Sequence, residues 1–295
     1  MVPKGRGTRQ CRCDVRTCQM LFQRRGVEEN KAEAFKWFQK AAEQDNVDAM
    51  FELARCYFNG EGVEENKAEA FKWFQKAAEK GNDSAMLAMA NSYYKGEGVA
   101  ENKTEAFEWI QKAAEKDNVL AALALALCYF NGEGVAENKQ EAVKWFQKAA
   151  EKGNVDAMLE LADCYLHGEG VAENKTDAFE WIKKAAEKGD ADAMFYLARC
   201  YFEGEGVTED KPEAVKWWKK AADRGDADSM FELANCYFNG DGVDGKDVSK
   251  AVALYKDAAQ HGSEEALETL RELAEKNDSE AQAALESLSL QAEPK

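Results

Sequence analysis

The chain has 295 residues, 45% of them hydrophobic and 32% charged, with a formal net charge of −17. That surplus of carboxylates excludes a general nucleic-acid binder and adsorption to anionic lipid, because both reward Lys and Arg. No apolar run approaches the ~20 residues of a membrane span, and no secretory apolar region opens the chain.

Residues 1–13 read as a disordered basic N-terminus. The first 25 residues carry seven Lys and Arg against Asp14 alone. An Arg-rich, acid-poor start suits an organelle transit peptide, but the segment lacks the amphipathic length of a targeting helix and reads better as a truncated or mistranslated beginning of a longer array. Residues 14–25 align with half of a repeat, Phe22 matching Phe58, although Arg24 stands where Gly60 should. Cys11, Cys13 and Cys18 have no fourth ligand nearby, so no metal site is expected of them.

From Gly26 onward the chain repeats. Gly-Val recurs at Gly26, Gly62, Gly98, Gly134, Gly170, Gly206 and Gly242, always 36 residues apart. A period of 20–50 residues means stacked supersecondary units. Each unit predicts two helices. Asn66 and its equivalents cap the first, and Glu69 three residues on occupies the capping-box position. Ala70, Trp73, Phe74, Ala77 and Ala78 form its apolar stripe, with Trp37, Trp73, Trp109, Trp145, Trp181 and Trp217 filling gaps between helices. Gly81 ends it in the left-handed conformation, and Asp45 and Asp117 are poorer stand-ins for that glycine. Asn82 and its equivalents cap the second helix, and Gly60 closes its counterpart in the first unit.

The recurring pattern A-x-x-x-L-A-x-x-Y-x-x-G-x-G-V…K-x-E-A-x-x-W-x-x-K-A-A-x-x-G resembles the Sel-one-like repeat family over about residues 14–270. The resemblance implies an all-α, right-handed α/α superhelical solenoid of 36-residue helix-turn-helix repeats. It also implies adaptors in signalling, secretion, host–microbe contact and membrane-associated protein degradation. The expected domain is a single solenoid over residues 14–290, with a degenerate half-repeat at 14–25 and repeats starting at 26, 62, 98, 134, 170, 206 and 242. Capping helices over about 263–290 turn Leu270 and Leu273 inward and Glu268, Arg271, Glu272 and Lys276 outward, before a disordered tail at 291–295.

Catalytic machinery is not expected. Cys56, Cys128, Cys164, Cys200 and Cys236 share one repeated position, with Ser92 there in the second unit. Some members of the family pair two cysteines per repeat, whereas this chain has one. Cysteines a repeat apart stand at the ~8–10 Å helix-stacking distance, beyond disulfide reach, so each reads as a small buried hydrophobe. Free thiols lean towards a reducing, cytoplasmic location. His167 and His261 have no catalytic partner, and carboxylates such as Glu64 and Glu65 recur with the repeat. A β-lactam-binding or hydrolysing activity, as proposed for cysteine-rich family members, stands as an alternative, without the S-x-x-K motif in its favour. A subunit of a membrane-associated degradation complex is another. No cofactor is expected.

One face breaks its own pattern. The outward column of the second helix is Asp48, Glu52 and Arg55 in the first unit, and Asp156, Glu160 and Asp163 in the fourth. The third unit has Leu120, Ala124 and Leu127, and the fifth has Tyr196 between Asp192 and Arg199. Apolar residues on an otherwise polar face mark a contact site. The expected function is therefore a non-enzymatic, monomeric scaffold that binds a protein or peptide partner through Leu120, Ala124, Leu127 and Tyr196.

Overall fold

The computed structural model describes residues 31–292, and the expectations for residues 1–30 and for the last three residues lie outside them. Fifteen helices and no strand occur among the described residues. Two compact units divide the chain after Lys152.

The first unit contains α1 (Lys31–Ala42), α2 (Val47–Asn59), α3 (Lys67–Glu79), α4 (Asp83–Lys95), α5 (Lys103–Glu115), α6 (Val119–Asn131) and α7 (Lys139–Glu151). The second contains α8 (Val155–His167), α9 (Lys175–Glu187), α10 (Ala191–Glu203), α11 (Lys211–Ala222), α12 (Ala227–Asn239), α13 (Val248–Gln260), α14 (Glu264–Glu275) and α15 (Ser279–Ala292). Within each unit every helix packs on the next in sequence. Helices of 12–14 residues span ~20 Å, too short to hold themselves in water, so the packed stripe supplies their stability.

The helix starts follow from the cap residues. Asn66 Oδ1 accepts from the Glu69 backbone N–H at 2.9 Å, and Asn82 Oδ1 accepts from that of Ala85 at 2.8 Å. The capping box, however, is not closed. The Asn66 N–H that Glu69 would have received donates instead to the Tyr57 carbonyl at 2.8 Å. Asn102, Asn138, Asn174 and Asp210 repeat this with Tyr93, Tyr129, Tyr165 and Tyr201. Glu69 is thereby free to pair with Lys72 at 2.9 Å. The same bond ties the end of each loop back to the helix before it.

The stripe is also narrower than the sequence suggested. Ala70, Phe74, Ala77 and Ala78 are buried, but Trp73 is only half-buried, with Lys76 Nζ 3.9 Å from its ring centre. Trp109, Trp181 and Trp217 carry Lys112, Lys184 and Lys220 in the same way, at 4.1, 3.8 and 3.5 Å. The interhelical gaps are filled by the next residue along, Phe38, Phe74, Ile110, Phe146, Ile182 or Trp218. The lysine three residues on covers each indole and keeps a large apolar surface compatible with water.

Asp45 and Asp117 hold positive φ, +66° and +67°, as their place in the glycine column requires. Their strain is offset by charge: Lys80 reaches Asp45 at 3.2 Å, and Lys152 reaches Asp117 at 2.8 Å. The mutual hold of Lys148 and Lys152 keeps the Asp117 carboxyl below its ordinary value. The cation binds the carbonyl of the column residue whether that is aspartate or glycine: Lys152 reaches the Asp117 carbonyl at 3.1 Å, and Lys116 that of Gly81 at 2.9 Å.

In the second unit Leu270 is buried and Leu273 half-buried, while Glu268, Arg271, Glu272 and Lys276 face outward. Two buried polar atoms there, Trp218 Nε1 and the Ser229 hydroxyl, lack a hydrogen-bond partner among the described residues. Ser229 is fully buried where Ala49, Ala85, Ala121, Ala157 and Ala193 stand in the other repeats. Removing an unsatisfied buried hydroxyl without changing the backbone favours folding. Ser229→Ala is expected to stabilise the second unit by about 1 kcal/mol, read as slower hydrogen exchange of the α12 amides.

Candidate functional site

The outward column of the second helices is set by the N-cap. Its first member is always the second helical residue, and the others follow one and two turns later on the same face. In the first unit it runs through Asp48, Glu52 and Arg55 on α2, Ser84, Ala88 and Asn91 on α4, and Leu120, Ala124 and Leu127 on α6. Leu120 is 63% exposed, the most exposed large hydrophobic side chain among the described residues. Ala124 and Leu127 are half-buried, although Arg55 and Asn91 at Leu127's position are exposed. Helix α6, VLAALALALCYFN, contains no charged residue at all. Its apolar character therefore runs out past the stripe that packs on α5 and α7.

In the second unit the column runs through Asp156, Glu160 and Asp163 on α8, Asp192, Tyr196 and Arg199 on α10, and Asp228, Glu232 and Asn235 on α12, and Tyr196 is 41% exposed. The Arg199 guanidinium lies 5.6 Å from the Tyr196 ring centre, and Phe195 meets that ring edge-on at 5.6 Å. Tyr196 forms one wall of a cleft of about 430 Å³ between α8 and α10. Leu159, Leu166 and Ile182 give the cleft an apolar floor, and Glu160, Asp163 and Asp192 stand around it. Lost hydration raises Glu160 above the ordinary carboxylate range, and Asp163 and Asp156 add to the effect. Asp192 is raised by lost hydration too, then by Asp190, Asp226 and Asp228. Sequence reading found Tyr196 but not the cleft, because its walls come from helices a whole repeat apart. The available signal was a tyrosine where Glu52, Glu160 and Glu232 stand elsewhere.

The repeated cysteines are accounted for by packing. Cys56, Cys128, Cys164, Cys200 and Cys236 are buried, and none of them is in a disulfide. Burial pushes Cys56 and Cys236 up to about 12 and Cys128 and Cys200 up to about 11, with nearby carboxylates adding to the shift. Since the thiolate is the reactive form, these thiols should stay unmodified by iodoacetamide at pH 8 in the folded chain. They should label fully in urea, and site-resolved mass spectrometry checks both states. His167 Nδ1 lies 3.1 Å from an Asp163 carboxylate oxygen, and His261 Nδ1 lies 2.9 Å from the Asp257 carbonyl at the end of α13. No cluster of three metal-ligating side chains, and no helix long and apolar enough to cross a membrane, occurs among the described residues.

The repeat pattern and the hairpin geometry now meet in one comparison. The Sel1 repeat family matches seven consecutive segments, residues 15–46, 47–82, 83–118, 119–154, 155–190, 191–226 and 227–263. The chain belongs to the Sel1 repeat family. Its fold is similar to that of c5321, described as a protective antigen present in uropathogenic Escherichia coli strains and displaying an SLR fold. The two share 30% identity with a TM-score of 0.84, over 96% of this chain and 62% of the other. The chain thus spans less than two thirds of that protein. A Sel1 repeat protein from Oxalobacter formigenes is similar at 31% identity and a TM-score of 0.74, over 89% of this chain and 76% of that one. No curated protein matches the sequence. Sel1 repeat proteins are in general protein-interaction scaffolds.

Proposed function

We propose that this Sel1 repeat chain is a non-enzymatic scaffold that receives a partner protein or peptide on the outward column of its second helices. Leu120, Ala124 and Leu127 are the apolar contact in the first unit, and Tyr196 is the aromatic contact in the second. The observation that carries the reading is Leu120. A leucine 63% exposed on the second residue of α6, where the other repeats place Asp, Ser or Glu, gains little for folding and has apolar area to offer a partner. Buried cysteines outside any disulfide fit a reducing compartment such as the cytoplasm.

Affinity capture with crosslinking tests the reading. Wild-type chain should retain a reproducible protein that Leu120→Asp loses, while the variant keeps its helical circular dichroism. Equal capture by both would remove the α6 face from the binding surface.

A further inference from the structure

The second unit offers a site more specific than an apolar face. Its cleft combines three features that answer one kind of ligand. The floor of Leu159, Leu166 and Ile182 suits an aliphatic stem, the Tyr196 ring suits a flat cation, and the rim carries Glu160, Asp163 and Asp192 against the single Arg199. Asp163 is already engaged by His167. Glu160 and Asp192 make no ion pair among the described residues. A volume of about 430 Å³ is ample for one long side chain with the backbone that delivers it.

We propose that the Tyr196 cleft receives an arginine side chain of a partner segment, its stem on the Leu159–Ile182 floor and its guanidinium between the Tyr196 ring and the Glu160 and Asp192 carboxylates. This rests on the reading that the outward column is the binding face, and it supplies the chemistry of the partner there.

The chain itself shows that the ring accepts this group, because Arg199 is within cation–π reach of it. Arginine fits better than lysine, since a planar fork can stack on the ring and bond carboxylates at once, which a point charge cannot. The same carboxylates repel phosphate, so a nucleic acid or an anionic lipid does not fit. The cleft is moreover electrostatically unfinished. Glu160 and Asp192 are both held above the ordinary carboxylate range, and an incoming cation relieves the crowding that contributes to it. Arg199 works against the ligand, as a like charge occupying part of the ring.

The test uses the whole chain, labelled for nuclear magnetic resonance, and a short acetylated and amidated alanine peptide with a central Leu-Arg-Leu. Matching peptides carry citrulline, neutral but nearly isosteric, or lysine in place of arginine. Saturable shifts confined to amides of α8, α9 and α10 are expected with the arginine peptide, and none with citrulline. Glu160→Gln and Asp192→Asn should each weaken binding about five- to ten-fold, and Arg199→Asn should tighten it a few-fold. All three side chains are exposed, so the variants should stay folded, with Asp192→Asn giving up only its first-turn charge. Equal binding of the citrulline peptide, indifference to both carboxylate substitutions, or no saturable shift with arginine would each overturn the proposal. Loss of partner capture by Leu120→Asp without arginine binding leaves the scaffold reading standing and removes this one. Arginine binding alongside unaffected Leu120→Asp capture leaves this proposal standing and removes only the α6 face from the binding surface.

Discussion

Alanine at Gly98 is expected to destabilise the first unit by about 3–5 kcal/mol, and alanine at Gly96, two residues earlier, by only about 1 kcal/mol. Both glycines hold left-handed backbone, φ +77° and +68°, so both substitutions pay the same conformational strain. The difference lies in what a methyl group would meet. At Gly96 its neighbours are the Glu101 N at 3.4 Å and the Glu101 Cβ at 3.5 Å, close to ordinary contact. At Gly98 it would fall on the carbonyl of Lys67, with the Ala68 N at 3.0 Å. That is backbone at the first turn of α3, and it cannot swing aside as a side chain would. The same loop is pinned from the other side, because Lys67 Nζ pairs with Glu97 Oε1 at 2.8 Å. Gly62, Gly134, Gly206 and Gly242 press on Lys31, Lys103, Lys175 and Lys211 alike, so at these positions the second glycine of the Gly-x-Gly is where one repeat's loop meets the preceding repeat's first helix. Unfolding of a repeat array need not be two-state, so hydrogen exchange is the better gauge. Protection should collapse in α3 and α4 for Gly98→Ala and remain for Gly96→Ala. Equal losses at the two positions would show that conformation alone, without the close approach, explains the second glycine.

Those glycines also mark how far local sequence reaches. The punctuation was legible because an N-cap, a left-handed residue and a helical stripe depend on neighbours within a few positions. Asn66, Asn82 and Gly60 could therefore be placed from the chain alone, and all three take those roles. The capping box misled for a nonlocal reason: the Asn66 N–H is claimed by the Tyr57 carbonyl across the loop, a competitor that the Asn66–Glu69 spacing does not reveal. Trp73 and Phe74 misled for a different one. Both fall within a stripe of helical period, and only packing against neighbouring helices decides that Phe74 goes inside while Trp73 stays at the boundary under Lys76. Leu120 was visible by comparing one repeat with another. The Tyr196 cleft was not, because α8 and α10 build it together and neither shows it alone.

Leu120→Asp is expected to move stability and binding in opposite directions. The residue sits in the first turn of α6, which lacks any acidic side chain, while α2, α8, α10 and α12 carry Asp48, Asp156, Asp192 and Asp228 at the same position. A carboxylate there meets the positive end of the helix and should add about 0.3–1 kcal/mol at low salt. Little is lost in return, since Leu120 is mostly in water and leaves no cavity. A partner that covers Leu120 loses the transfer of a leucine and must also desolvate a charge. Capture should therefore weaken by about 1.5–3 kcal/mol, ten-fold or more. Leu127→Asn is the informative companion, for Leu127 is half-buried and its truncation should lower both stability and capture. Thermal melts and a binding titration on the two variants separate the roles. If Leu120→Asp lowered the melting temperature, the leucine would be serving the fold after all. A higher melting temperature with lost capture fits a side chain that is kept for what it touches outside the chain.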